Sequence, residues 1–100
     1  MTFAFSTSFP TRAGHTGELV AILVASNPAL ADAGCLRYDV GVDPAEPFMV
    51  HVHELWTSRE GHDHSLKLES TRAAIARAMP ALAGAPIPGA TFEVLGSPLR

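Results

Sequence analysis

The stretch from Phe48 to Trp56 alternates as a β-strand should, yet neither of its two faces is polar. Phe48, Val50, Val52, Glu54 and Trp56 share one side, while Met49, His51, His53 and Leu55 share the other. Both sides of its sheet therefore have to be covered. A chain of 100 residues has material for one compact domain, residues 1–100, and for one layer of helices. That layer covers one face, so the other points to the sheet of a second copy and hence to a homodimer.

The neighbouring segments supply the rest of the sheet. Phe3, Phe5, Thr7 and Phe9 alternate with Ala4, Ser6 and Ser8 until Pro10 removes an amide donor. From His15 the apolar residues Leu19, Val20, Ile22, Leu23 and Val24 recur at helical spacing. Pro28 to Ala33 reads as an extra helical turn, with Gly34 as its stop. Leu36 to Val42 alternates again, with Leu36, Tyr38, Val40 and Val42 on one face, and Asp43 to Pro47 turns the chain into Phe48–Trp56 as a hairpin. Thr57-Ser58-Arg59-Glu60 has the spacing of a capping box and predicts a short helix to about Leu66 or Leu68. A second helix runs from about Ser70 and is weakened near Pro80. Residues 83–89 form a loop by their glycines and prolines, and Thr91 to Leu95 is the last strand. The order strand, helix, strand, strand, helices, strand is that of an α+β, ferredoxin-like βαββαβ sandwich.

Charge and cysteine content narrow the function classes. Seven Lys and Arg face ten Asp and Glu, for a formal net charge of -3, and the cations are scattered, so a nucleic-acid partner is not expected. The single cysteine, Cys35, allows no intrachain disulfide and no multi-cysteine zinc site, which fits a reducing, cytoplasmic setting. The first residues lack the features of a signal peptide, and no apolar run reaches the roughly 20 residues of a membrane helix. No membrane partner is expected.

Gly34-Cys35-Leu36-Arg37-Tyr38, Asp43-Pro44, and above all Glu54-Leu55-Trp56-Thr57-Ser58-Arg59-Glu60 followed by His64 resemble the antibiotic biosynthesis monooxygenase domain family over most of the chain. Members are small and dimeric, with paired sheets that form an α+β barrel. The resemblance implies a monooxygenase that needs no metal or flavin and acts with molecular oxygen on a small phenolic, quinol-like or polyketide-like compound. The chain departs from the pattern at Glu69, where many relatives carry a second histidine. Haem degradation, known among relatives, is disfavoured because strand one offers only Thr2, Ser6, Thr7 and Ser8 as polar side chains.

The resemblance makes His64 the candidate base, since neutral imidazole can accept a phenolic proton near neutral pH. Glu54 would orient it, and Trp56 would form a flat wall for the substrate. Tyr38 and Leu66 complete the expected substrate contacts. Each residue also has a structural reading: His64 fixing the helix on the sheet, Glu54 holding donors at the strand end, Trp56 and Tyr38 packing. His51-x-His53 places two imidazoles on one strand face, but no glutamate follows at a ligating distance. His62 and His64 lie about 200° apart around a helix, so packing is the simpler reading and no metal is expected. The alternative at the level of function is a non-catalytic dimeric protein that binds or protects a small ligand in the same pocket.

Overall fold

In a computed structural model, which describes residues 2–99, the sheet is built from β1 (Phe3–Pro10), β2 (Cys35–Gly41), β3 (Met49–Trp56) and β4 (Ile87–Glu93). The helices are α1 (Thr16–Val24), α2 (Pro28–Asp32), α3 (Arg59–Ser65) and α4 (Glu69–Ala78), and a 3-10 turn at Met79–Ala81 continues α4. The strands lie in the order β2-β3-β1-β4, and each neighbouring pair is antiparallel. This is the expected α+β ferredoxin-like arrangement. Among the described residues no helix is long and apolar enough to cross a membrane.

Register assigns the faces. Phe3, Phe5, Thr7 and Phe9 lie opposite Trp56, Glu54, Val52 and Val50, so all eight share the side on which the helices pack. Tyr38 and Val40 join that side opposite Glu54 and Val52. The core proper gathers at one end of it, where Leu19, Val50, Ala78 and Ala81 are buried and Phe9, Val20, Ile22, Leu23, Val40 and Leu82 pack around them. The other sheet face carries Ser6, Ser8, His51, His53 and Leu55, with Ile87 and Phe92 of β4 opposite Ser8 and Ala4. Ile87 and Phe92 are about half exposed.

Three local details depart from the alternation read in the sequence. The β2–β3 register shifts between Cys35 and Arg37, so Leu36 is an extra residue in a bulge and is 55% exposed; it does not share the inner face with Tyr38 and Val40. β4 starts at Ile87 rather than Thr91 and ends before Leu95. Pro88 and Gly89 are tolerated because β4 is an edge strand with its own register shift opposite Phe5 and Thr7. The cap of α3 is Ser58, whose hydroxyl accepts from the Gly61 amide at 3.0 Å, and not Thr57 as the Thr57–Glu60 spacing suggested. Thr57 instead ties the strand end to the α2–β2 corner, where its amide donates to the Gly34 carbonyl at 2.8 Å.

Two glycines let α3 settle there. Gly34 has φ +104°, and a Cβ on it would run into the Thr57 side chain. A Cβ on Gly61 would run into the Ala33 carbonyl oxygen. The close approach of α3 to the end of α2 depends on the second of these.

Candidate functional site

Glu54 and Trp56 are two apart on β3, so their side chains leave the same face of the strand. The Trp56 indole N–H donates to Glu54 Oε1 at 3.0 Å, which gives the half-buried carboxylate the partner its burial demands. Burial pushes the Glu54 carboxyl above its ordinary range, against the opposing effects of the Trp56 hydrogen bond and the charge of His62. Tyr38, opposite Glu54 on β2, is pushed up as well, first by burial and then by the Glu54 and Cys35 charges. Its phenol therefore remains a proton donor through the neutral range.

The histidine that meets this group is His62. It is buried, and its ring centroid lies 4.4 Å from that of Phe5, 5.7 Å from Phe3 and 5.5 Å from Trp56, edge-on to the indole. Its Nδ1 lies 3.1 Å from Asp63 Oδ1. A carboxylate only accepts, so Nδ1 carries the hydrogen, and in the neutral form of the ring the lone pair is on Nε2. The Ser65 hydroxyl donates to the His62 carbonyl at 2.6 Å and finishes this inner stripe of α3.

His64 is exposed on the opposite side of α3, away from the group in which it was expected. Its helical stripe carries the charged residues Glu60 and Lys67, whereas the stripe of His62 carries only small uncharged serines, Ser58 and Ser65. That contrast, visible in the sequence, could have selected His62. Trp56 is completely buried, so it holds Glu54 and packs against His62 rather than walling an open pocket. Leu66 caps α3 and is half exposed on its outside.

His51 accepts or donates a 2.8 Å hydrogen bond with Ser8 and lies 3.9 Å from Glu46, all on the face without helices. His53 is exposed on that same face. Among the described residues no three His, Cys, Asp or Glu side chains converge as a metal site would require.

Two clefts are lined by neighbours of this group, Tyr38 in one and Phe3 in the other. One, of about 360 Å³, opens at the β2 edge between α1 and α2 and is lined by Leu23, Leu30, Cys35, Leu36, Tyr38 and Val40 among others. The second, of about 460 Å³, lies between the start of α3 and β4 and is lined by Phe3, Thr57–Glu60 and Thr91–Glu93. The first is the more apolar in its lining, and Tyr38 connects it to Glu54.

The fold has counterparts among known proteins. A Chloroflexus aurantiacus protein named for antibiotic biosynthesis monooxygenase is 29% identical, with 96% of this chain and 100% of that chain aligned at a TM-score of 0.72. Rv0793 from Mycobacterium tuberculosis matches at 18% identity, 98% and 99% coverage and a TM-score of 0.80. SnoaB from Streptomyces nogalater, a cofactor-independent oxygenase solved as a point mutant, matches at 11% identity, 99% and 98% coverage and a TM-score of 0.79. The last two show likeness of fold alone. No curated protein matches the chain significantly. The family model for antibiotic biosynthesis monooxygenase matches residues 2–77, more than half of the sequence, and the chain belongs to that family.

Proposed function

We propose that the protein is a cofactor-independent monooxygenase acting on a small phenolic or quinol-like compound that enters from the apolar cleft at the β2 edge. The observation that carries this reading is a half-buried carboxyl held by Trp56, a buried imidazole packed on Trp56 and Phe5, and Tyr38, which pairs with Glu54 across the strands and lines that cleft. Tyr38 donates a hydrogen bond to the substrate oxygen. His62 takes the phenolic proton on Nε2, with Asp63 fixing the ring, and the Glu54 carboxylate balances the imidazolium that forms. The substrate anion, richer in electrons than the phenol, then reacts with molecular oxygen: one oxygen atom enters the substrate and the other leaves as water with two hydrogen atoms that the substrate gives up.

His64, on the solvent side of α3, has no part in this scheme. With a panel of quinols, oxygen uptake by the wild type is expected to fall by roughly 10²- to 10⁴-fold in His62→Ala, the usual weight of one acid-base group, and to persist in His64→Ala. Equal inertness of all three proteins would sink the reading. Thermal stabilisation by a quinol without uptake would instead support the binding or protective role.

The reading includes a homodimer closed through the face that carries Leu55, Ile87 and Phe92, whose exposed apolar area favours cover by a second copy. Sedimentation of the purified chain at a monomer mass, over micromolar concentrations, would overturn it.

A further inference from the structure

The cleft at the β2 edge has no carboxylate in its lining, and its one cation, Arg37, is tied to Asp39. Its other polar side chains, Ser26, Asn27, Cys35 and Tyr38, are uncharged near neutral pH. Two of its apolar residues are more than half exposed: Val24, the last residue of α1, at 60%, and Leu36 on β2 at 55%.

Leu36 stands outside only because of the bulge. In a regular strand it would alternate with Arg37 and lie with Tyr38 and Val40 against the helices. The chain therefore interrupts a ladder to set a leucine at the rim, where a polar residue would meet water at no cost. Val24 does the same from the facing helix. Deeper in the lining, Leu23, Leu30, Val40 and Tyr38 are only partly exposed. Apolar surface that continues from the half-buried floor of a cleft onto its exposed mouth is suited to an apolar ligand longer than the floor. A phenol whose oxygen meets Tyr38 turns its far end toward that mouth.

We infer that Val24 and Leu36 form a groove for an uncharged alkyl substituent on the ring, so that the site takes phenols with an apolar tail in preference to the bare ring or to one ending in a carboxylate. The inference rests on the phenolic reading above and narrows its substrate class. Each methylene laid on the two side chains leaves water, which sets the first preference. A carboxylate there would lose hydration and find Arg37 already engaged, which sets the second.

The test uses the purified full-length protein and titration calorimetry under anaerobic conditions. The probes are phenol, 4-methylphenol, 4-propylphenol, 4-pentylphenol and 3-(4-hydroxyphenyl)propanoate. Wild-type affinity is expected to rise by roughly twofold to fourfold per methylene, the upper value being that of a fully buried one, and 4-propylphenol is expected to bind more tightly than the propanoate. In Leu36→Ser and Val24→Ser, which alter exposed positions and should melt with the wild type, the increment per methylene falls toward one; Leu36→Met keeps it. Phe48→Ser, which removes a ring as exposed as Leu36 but outside the cleft lining, leaves it unchanged. A flat series in the wild type, or an increment that survives in both serine variants, overturns the inference alone. So does a serine variant that loses self-association in sedimentation while its increment stays, since the rim then serves contact between copies. Failure of the wild type to bind any of the phenols removes the phenolic reading and this inference with it.

Discussion

Replacing Trp56 by Phe isolates the contact that holds Glu54. The ring is kept, so most of the edge contact with His62 and the packing against β1 survive, but the indole N–H that reaches Glu54 Oε1 at 3.0 Å is lost. A hydrogen bond to a charged acceptor is worth about 1.5–3 kcal/mol and one to a neutral acceptor about 0.5–1.5 kcal/mol. The coupling between Trp56 and Glu54 should therefore depend on the ionisation of the carboxyl. Because the folded-state pKa of Glu54 is raised, the larger value applies above that pKa and the smaller one below it. Trp56→Phe raises the pKa further by removing a group that favoured the anion. The measurement is a double-mutant cycle of Trp56→Phe with Glu54→Gln, read by circular dichroism in urea at fixed protein concentration, at pH 8 and at pH 4. A difference of about 1 kcal/mol between the two couplings corresponds to roughly 4–8 °C in melting temperature for a domain of this size. A coupling equal at both pH values, or near zero at pH 8, would refute the argument that Trp56 stabilises the carboxylate form.

Other substitutions probe the same frame. Glu54→Gln should stabilise the protein at pH 8: the raised pKa means that the contribution of Glu54 is fully present below the ordinary carboxylate range and is lost as pH rises through the folded value. Urea titrations from pH 4 to 8 should show a fall in wild-type stability through that window which the variant lacks. Gly61→Ala forces a Cβ onto the Ala33 carbonyl oxygen and should cost about 1–3 kcal/mol, as an overpacked site does; thermal unfolding unchanged from wild type would contradict the proposed seat of α3. Leu19→Ala empties a fully buried position and should cost about 2–5 kcal/mol, while Val24→Ala, 60% exposed on the same helix, should stay within about 0.5 kcal/mol.

Much of the fold was legible because the period of two survives wherever a strand has one apolar face against helices. Phe3, Phe5 and Phe9 on β1 and Val50, Val52 and Trp56 on β3 are such sets, and they meet in register. Reading failed where the period breaks. The bulge at Leu36 inserts a residue that no composition rule flags, and β4 contains Pro88 and Gly89, which argue against a strand unless it is known to lie at an edge. The pairing of Glu54 with Trp56 followed from alternation, since residues two apart on a strand must share a face. The partner histidine did not follow from the same rule: the resemblance pointed to His64, and the phase that brings His62 inward rests on a cap one residue later than the Thr57–Glu60 spacing suggested.

That single residue has a large effect at a strand-to-helix junction. Each step along a helix turns the side chain by about 100°, so choosing Thr57 or Ser58 as the cap decides which later residues face inward. With Ser58 capping through Gly61, the inward positions are His62 and Ser65, and Glu60, His64 and Lys67 go to solvent. Gly61 makes this phase possible by letting the helix lie against the Ala33 carbonyl. The cap thus sets which histidine packs on Trp56, Trp56 holds Glu54, and Glu54 pairs with Tyr38, which lines the cleft. A Ser58→Ala variant tests the chain as a whole: loss of the cap should cost about 1 kcal/mol, and the freed first turn should loosen His62 from Phe5. The ring protons of His62, shifted by their contact with Phe5 and Trp56, should then move toward ordinary histidine positions in the NMR spectrum while those of His64 stay put. Movement of His64 without movement of His62 would show that the cap governs the solvent face instead.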